Sequence, residues 1–444
     1  MPKQQNSSNC LKAAVFGGSI SGLMSTIVLA KKGFKVDLYE KREKYSRNIQ
    51  WGVRQSFIDY LACMDQNLAD QFYNNLASTI TNGHRFFADK CSLYAHGAYS
   101  YQHRSSPQKG ICGDENLSGS HTLDEEIVCL VPAKELEAFL YEFVAKNDAV
   151  TIHHETAPHI KLEESSNKYY IEDSDSNTPY DLIVVSEGAS STTRSDANIL
   201  SMDLSRKVKQ VSGEVYLKRH GMIIEYLHAK NNKARLREEF LLSMLISTER
   251  HQTCWVVGDV SYSCMKSLNV QNLSEDEKRD IIKQEFRTIA SRTMINAEQN
   301  IIEAGYQGAV HEIKLFDFQA KISNTAIAGD NLILAGDSVG NGHWSVGGGM
   351  HVAAVCHSKR LEILATSILG KSNDRASALK EYNDGVLADT TAWISRGIKY
   401  YYLSIPGDVI QAVFDELIVE LMNDNKINFP EQLKLRVTSV YFKD

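Results

Sequence analysis

The 444-residue chain has only seven prolines, no internal repeat, no low-complexity tract and no apolar run near the roughly 20 residues of a membrane-spanning helix. A membrane span is therefore not expected, and boundaries have to be read from changes in pattern rather than from linkers. There is no excess of positive charge: the formal net charge is −7 with the signs interspersed, which leaves no basic stripe for nucleic acid and no polybasic membrane patch. The eight cysteines, at 10, 63, 91, 112, 129, 254, 264 and 356, include no Cys-x-x-Cys pair. In a chain of this length they read as free, reduced thiols of a cytoplasmic protein without a structural metal. The fourteen histidines are scattered, and the adjacent His153 and His154 alternate across a strand, so they cannot share one metal. The start is polar and the first apolar segment contains a glycine turn, the pattern of a strand rather than of a signal-peptide core.

That turn is the most informative segment present. Ala13 to Gly22, AAVFGGSISG, reads as a strand turning through glycines into a helix over Leu23 to Lys32, with a second strand over Phe34 to Glu40. Gly17 permits the tight turn, the small Ser19 lets a pyrophosphate approach the backbone, and Gly22 lets helix pack against strand. The helix N-terminus offers unpaired N–H groups and the positive end of its dipole. Glu40 stands where a carboxylate takes ribose hydroxyls, and Gly33 closes the helix between. This is the pattern of a dinucleotide-binding unit.

Further along, Leu136 to Val144 carries a helical stripe, followed by a strand pair at Val150 to His154 and Leu182 to Val185. From about Ser205 to Phe318 the sequence is strand-like, interrupted by one helix with a capping box, Ser274 and Glu277. Leu332 to Ala335 is a continuous apolar strand that runs into a glycine-rich loop and a helix from about Met350. The tail from about Asn373 is helical, with an apolar stripe over 409–422 that either packs on the body or forms a homodimer surface. An α/β fold is expected: a Rossmann-like nucleotide unit over 1–82, 122–202 and 322–372, an inserted mixed β-sheet substrate domain over 83–121 and 203–321, and a helical region over 373–444.

Three segments, the glycine turn, DLIVVSEGASSTTR and LILAGDSVGNGHWSVGGGMHVA, together resemble the FAD-dependent monooxygenases of the para-hydroxybenzoate hydroxylase type. Glu187, Gly188, Ser191 and Arg194 fill that family's D-G-x-x-S-x-x-R motif, with glutamate for aspartate. Asp337 matches the aspartate that binds a ribityl hydroxyl, and Gly347 and Gly349 match the glycines beside the flavin. Within the family the closest likeness is to the flavin domain of the MICAL proteins, carried by Tyr45-Ser46-Arg47, CLVPAKELE, Phe316-Asp317-Phe318 and Trp344. Departures fall near the chemistry: Gly340, Trp344 and His351 replace a histidine, a proline and an asparagine.

The resemblance implies FAD held by Gly17, Gly18, Ser19, Ser21, Gly22, Glu40, Lys41, Arg47, Lys134, Ala157, Asp337, Gly347, Gly348, Gly349 and Met350. The absence of a second G-x-G-x-x-G implies that NAD(P)H docks transiently, reduces the flavin and leaves. O2 then adds at flavin C4a, and the hydroperoxide passes oxygen to an electron-rich small molecule, expected to be aromatic. Trp344, His343, His351 and Arg54 are the expected catalytic or substrate-facing residues, with Trp51 beside Arg54. Tyr94, Tyr99, Tyr101 and His103 form either one pocket wall or a surface loop. Another flavoenzyme of the same fold is the alternative, although the halogenase signature W-x-W-x-I-P is absent. A flavin-free binding scaffold like the GDP dissociation inhibitors would have no need of Glu40, Arg47 and Asp337.

Overall fold

The computed structural model describes residues 11–79, 82–87, 127–172, 180–204, 207–216, 222–230, 239–247, 253–296, 310–344, 348–370 and 374–402. The expectations for Tyr94, Tyr99, Tyr101, His103, Gly347 and the stripe over 409–422 lie outside these residues.

The first strand, β1 (Lys12–Phe16), lies at the centre of a six-stranded sheet. It pairs in parallel with β2 (Lys35–Tyr39) on one side and with Leu182–Val185 on the other. Leu332–Leu334 continues the sheet in parallel beyond Leu182–Val185, and Val150–His153 closes the far edge beside β2. Strands from three separated stretches of sequence thus form one sheet. The strands Leu182–Val185 and Leu332–Leu334 are buried throughout, as parallel strands covered on both faces must be.

Helix α1 (Ile20–Lys31) begins three residues earlier than expected, with Ser19 at its N-cap, so the glycine turn feeds the helix without an intervening loop. Gly17 has φ +93°, a conformation L side chains rarely adopt, and a Cβ on Gly22 would stand 1.7 Å from the Gly17 carbonyl oxygen. At its C-terminus, Gly33 adopts φ +92° and the Phe34 N–H returns to the Leu29 carbonyl, the expected glycine stop.

A second six-stranded sheet runs in the order Val310–Phe318, Val208–Tyr216, Thr253–Asp259, Glu239–Ser247, Met222–Lys230, Asn82–Phe87, antiparallel except for the last pair. Period-two alternation sorts its faces. Val211, Val215, Cys254 and Val256 meet Phe286, Ile289 and Ala290 of the helix Glu275–Asn296. The opposite face puts Ile246, Trp255 and Val257 against Leu130, with Ile49, Ile127, Phe316 and Trp344 packed around them. The capping box at that helix's start forms as expected: the Glu277 N–H donates to Ser274 Oγ and the Ser274 N–H to Glu277 Oε2.

Two expectations are corrected. Past the glycine-rich loop the helix is not uniform: Gly349–His351 leads into a π-helical turn, Val352–Cys356, before His357–Leu369. Such turns relieve local packing conflicts and recur at functional sites. The cysteines are not all reduced: Cys129, Cys254, Cys264 and Cys356 form no disulfide, but Cys63 is disulfide-bonded, so the thiols no longer argue for a reducing compartment. Among the described residues no helix is long and apolar enough to cross a membrane, and no cluster of histidine, cysteine and carboxylates is arranged to hold a metal.

The contact at Gly22 makes a stability prediction. Gly22→Ala forces its methyl into backbone that has no rotamer to yield, and an overpacked core of this kind costs about 3 kcal/mol. The urea midpoint should fall accordingly; an unchanged midpoint would mean that the helix and the turn do not approach as closely as described.

Candidate functional site

A cavity of about 980 Å³ opens where the two sheets face each other. One half is lined by Gly17, Ser19, Ile20 and Ser21 from the glycine turn, Glu40 and Lys41 from the end of β2, and Arg47 from the loop beyond it. Ser186, Glu187 and Gly188 join them from the end of Leu182–Val185, and Asp337 and Ala353 from beyond Leu332–Leu334. Every one of these lies at or past the carboxyl end of a parallel strand or in the helix that follows, the usual ligand position in such sheets. The rest of the lining is rich in aromatic side chains, Trp51, Trp255, Phe316, Phe318, Trp344 and Trp393, with the polar Gln50, Ser212, Lys314 and Asn341 among them.

Buried hydrogen bonds lock the three motifs together. Ser186 Oγ lies 2.9 Å from the carbonyl oxygens of both Phe16 and Gly17. Arg194 donates to the Ser338 carbonyl at 3.0 Å and the Ala189 carbonyl at 2.8 Å, and the Gly188 N–H donates to Ser338 Oγ at 3.0 Å. Glu187 accepts from Ser191 Oγ at 2.6 Å and from the Thr193 N–H at 3.2 Å, which braces its own loop. Within the motif, Arg194 is a structural clamp that sets the turn carrying Asp337.

Glu40 is 3 % exposed and saturated with donors. The Gly18 N–H reaches its Oε2 at 2.8 Å, and Arg42 adds its backbone N–H, Nε and Nη2 at 2.7 to 2.8 Å. Burial works to raise the carboxyl's pKa, but these bonds prevail and hold it below the ordinary range. The Arg42 guanidinium in turn lies over the Tyr45 ring, whose hydroxyl donates to the Gly18 carbonyl at 2.7 Å. Arg42, which sequence reasoning missed, therefore covers the carboxylate expected to meet a ribose. Asp337 projects into the cavity, accessible from within it yet enclosed by protein. That enclosure raises its pKa while Arg47 acts in the opposite direction.

Among the other expected cofactor residues, Ala157, Gly348, Gly349 and Met350 line the cavity. Gly18 and Gly22 support the wall from behind. Lys134 does not line the cavity; its backbone N–H bonds the Arg47 carbonyl at 3.3 Å. Trp393 explains why 348 and 349 are glycines, since a Cβ at either would stand 2.3 to 2.8 Å from its indole. It belongs to the helix Arg375–Tyr402, whose pattern gave no sign of a site residue.

The expected catalytic residues divide. Trp344 lines the cavity, and its indole N–H donates to Gln210 at 2.9 Å; Gln210 passes its own amide N–H to Asp259. His343, His351 and Arg54 are buried at 1 %, 0 % and 4 % exposure and do not line it. His343 packs edge-on to Phe318 and against Trp344. Burial pushes its pKa down to about 3, and burial with Arg54 and Lys359 nearby drives that of His351 well below the ordinary value. Both imidazoles are thus held neutral behind the cavity wall.

No family model and no curated protein matches this sequence. Solved structures do match the fold. The flavin-dependent halogenase CmlS superposes with a TM-score of 0.62 at 12% identity over 86% of this chain, which spans 62% of CmlS. The p-nitrophenol 4-monooxygenase PnpA from Pseudomonas putida DLL-E4 gives 0.61 at 13% identity, covering 96% of this chain and 98% of that one. HpxO from Klebsiella pneumoniae, complexed with FAD and uric acid, gives 0.60 at 15% identity, covering 95% and 97%. The fold is that of flavin-dependent monooxygenases and halogenases.

The buried histidines fix an acid limit on stability. His357 accepts the Gly336 N–H on Nδ1 at 2.9 Å and bonds Thr390 through Nε2; burial chiefly holds it, like His343, near pKa 3. Unfolded, both titrate near 6.5, so the unfolded chain binds more protons between pH 6.5 and 3. Stability is present in full above that window and is lost as pH falls through it. In His343→Gln the slope of unfolding free energy against pH should shrink there by about 1.4 kcal/mol per unit; the same slope in both proteins would contradict the assignment.

Proposed function

We propose that this chain is an FAD-dependent oxygenase acting on an electron-rich, aromatic small molecule, with NAD(P)H as a transient reductant and O2 as co-substrate. The observation that carries the reading is the convergence of three distant motifs on one cavity whose far half is rich in aromatic side chains. The residues present fit FAD. Gly17 and Gly22 leave a bare backbone cradle at the helix N-terminus, the buried Ser21 hydroxyl has no partner within the protein, and carboxylates stand at both ends of the polar half.

In this reading the turn Gly17–Ser21 and the first N–H groups of α1 hold the pyrophosphate, with Arg47 adding positive charge. Glu40 takes ribose hydroxyls once the Arg42 side chain gives up its bonds. Asp337 holds a ribityl hydroxyl, and backbone N–H groups over 348–350 face the ring system and stabilise negative charge on its reduced form. When bound and reduced, FAD supplies the activation of O2. The protein's part is to orient the ring, exclude water with the aromatic wall and hold the substrate against it. Trp344, fixed through Gln210, and Trp51 and Phe318 are placed to pack against an aromatic ring.

The likeness to the para-hydroxybenzoate hydroxylase type and to MICAL rests on the motifs alone. A halogenase or a protein-side-chain oxidase would use the same cofactor half. The aromatic lining favours an aromatic small molecule over a protein side chain, and the missing W-x-W-x-I-P signature favours hydroxylation over halogenation.

The purified chain, or its apoprotein after addition of FAD, should show a flavin absorption spectrum; a colourless protein that takes up no FAD would end this reading. Asp337→Ala should lose most of its flavin while keeping the wild-type circular dichroism, and unchanged flavin content would refute the role of that carboxylate. NADPH oxidation accelerated by an aromatic substrate, without matching hydrogen peroxide, marks the oxygenase; peroxide alone across all aromatic compounds would exclude aromatic hydroxylation.

A further inference from the structure

Behind the glycine turn lies a carboxyl group the proposed function does not use. Glu137, on the helix Ala133–Ala145, is 0 % exposed, and no side chain donates a hydrogen bond to either of its carboxyl oxygens. A fully buried carboxylate left unpaired is among the costliest groups a fold can contain, so it persists as the neutral acid or serves a purpose. Its surroundings are specific. The N–H of Ile20, the first residue of α1, faces it, and Arg47, Arg42, Glu40 and Tyr45 are the charged and titratable groups close enough to feel it. Arg47 is shared: its charge acts both on Glu137 and on Asp337 in the cavity.

We infer that Glu137 takes up a proton when the cofactor binds, so that it lies neutral beneath the pyrophosphate turn once the phosphates have settled there. The inference rests on the FAD reading above. Three carboxyls, Glu40, Glu137 and Asp337, share this corner with two guanidinium groups, Arg42 and Arg47. Were all ionised, the corner would be negative before a dianionic pyrophosphate arrived. Burial favours the neutral form of Glu137 and raises its pKa, while Arg47 and Arg42 favour the charged form. A pyrophosphate at Ile20 engages Arg47 and the helix N-terminus, the groups that hold down the proton affinity of Glu137, and adds negative charge of its own. Binding therefore draws a proton onto Glu137. As pH rises and the free protein loses that proton, FAD affinity falls. Glu137 does not line the cavity, so it acts through the turn and Arg47 as a positioning residue.

The test is FAD titration of apoprotein, followed by flavin fluorescence, from about pH 5.5 to 8.5. It is joined by calorimetry in two buffers of different ionisation heat, which counts protons taken up. The wild type should weaken with rising pH, by at most about tenfold per unit for one coupled proton, with net proton uptake on binding. Glu137→Gln keeps the shape and cannot titrate; its FAD affinity should be nearly independent of pH, with proton uptake reduced. Glu137→Met, apolar and of similar length, should behave likewise if it folds. Asp337→Asn separates the other raised carboxyl: a pH profile flattened there, and unchanged in Glu137→Gln, would overturn the inference. A wild type that binds no FAD at any pH sinks the flavin reading and this inference with it. Binding with a profile insensitive to Glu137→Gln sinks this inference alone.

Discussion

A guanidinium buried between two backbone carbonyls holds this cavity in shape. Arg194 joins the loop after Leu182–Val185 to the turn after Leu332–Leu334, two segments more than 140 residues apart. Ser186 ties the first of those loops to the glycine turn. Without such cross-links the ends of three parallel strands would be three independent loops, each free to move with low local stability. With them, Gly17, Glu187 and Asp337 form one surface. A charged side chain buried to satisfy carbonyls is expensive unless every donor is used well, which is why such a group tends to fix a unique arrangement.

The same corner shows how closely charge is balanced in the absence of a ligand. Glu40 is satisfied entirely by this chain, with Arg42 occupying the directions in which sugar hydroxyls would donate. Glu137, fully buried, and Asp337, open to the cavity, are both desolvated by the surrounding protein, which raises the pKa of each. A nucleotide that exchanges with Arg42 at one end and engages Arg47 in the middle redistributes charge over the whole site. Affinity is then set by several coupled groups, not by the glycine turn alone.

Much of this was legible in the sequence, because the relevant constraints are local. Gly17 and Gly22 betray a turn and a close approach, and Leu182–Val185 and Leu332–Leu334 betray buried parallel strands. Their adjacency followed from the motifs, each of which makes sense only beside the others. What stayed hidden depended on tertiary contact. Trp393 is one apolar residue in a long helix until the fold lays its indole against Gly348 and Gly349. His343 and His351 look catalytic beside Trp344, yet the direction of their side chains buries them behind the wall. Glu137 is one charge among the apolar positions of its helix, and only the packing of that helix on α1 shows it enclosed.

The most direct test of the central claim is a competition titration of the apoprotein with FAD and FMN. If the glycine turn and Glu40 anchor the adenosine diphosphate half while the ring lies toward Gly348 and the aromatic wall, one FAD binds per chain and excess FMN fails to displace it. FMN binding as tightly as FAD, or no flavin binding at all, would contradict the assignment of the polar half of the cavity to a dinucleotide.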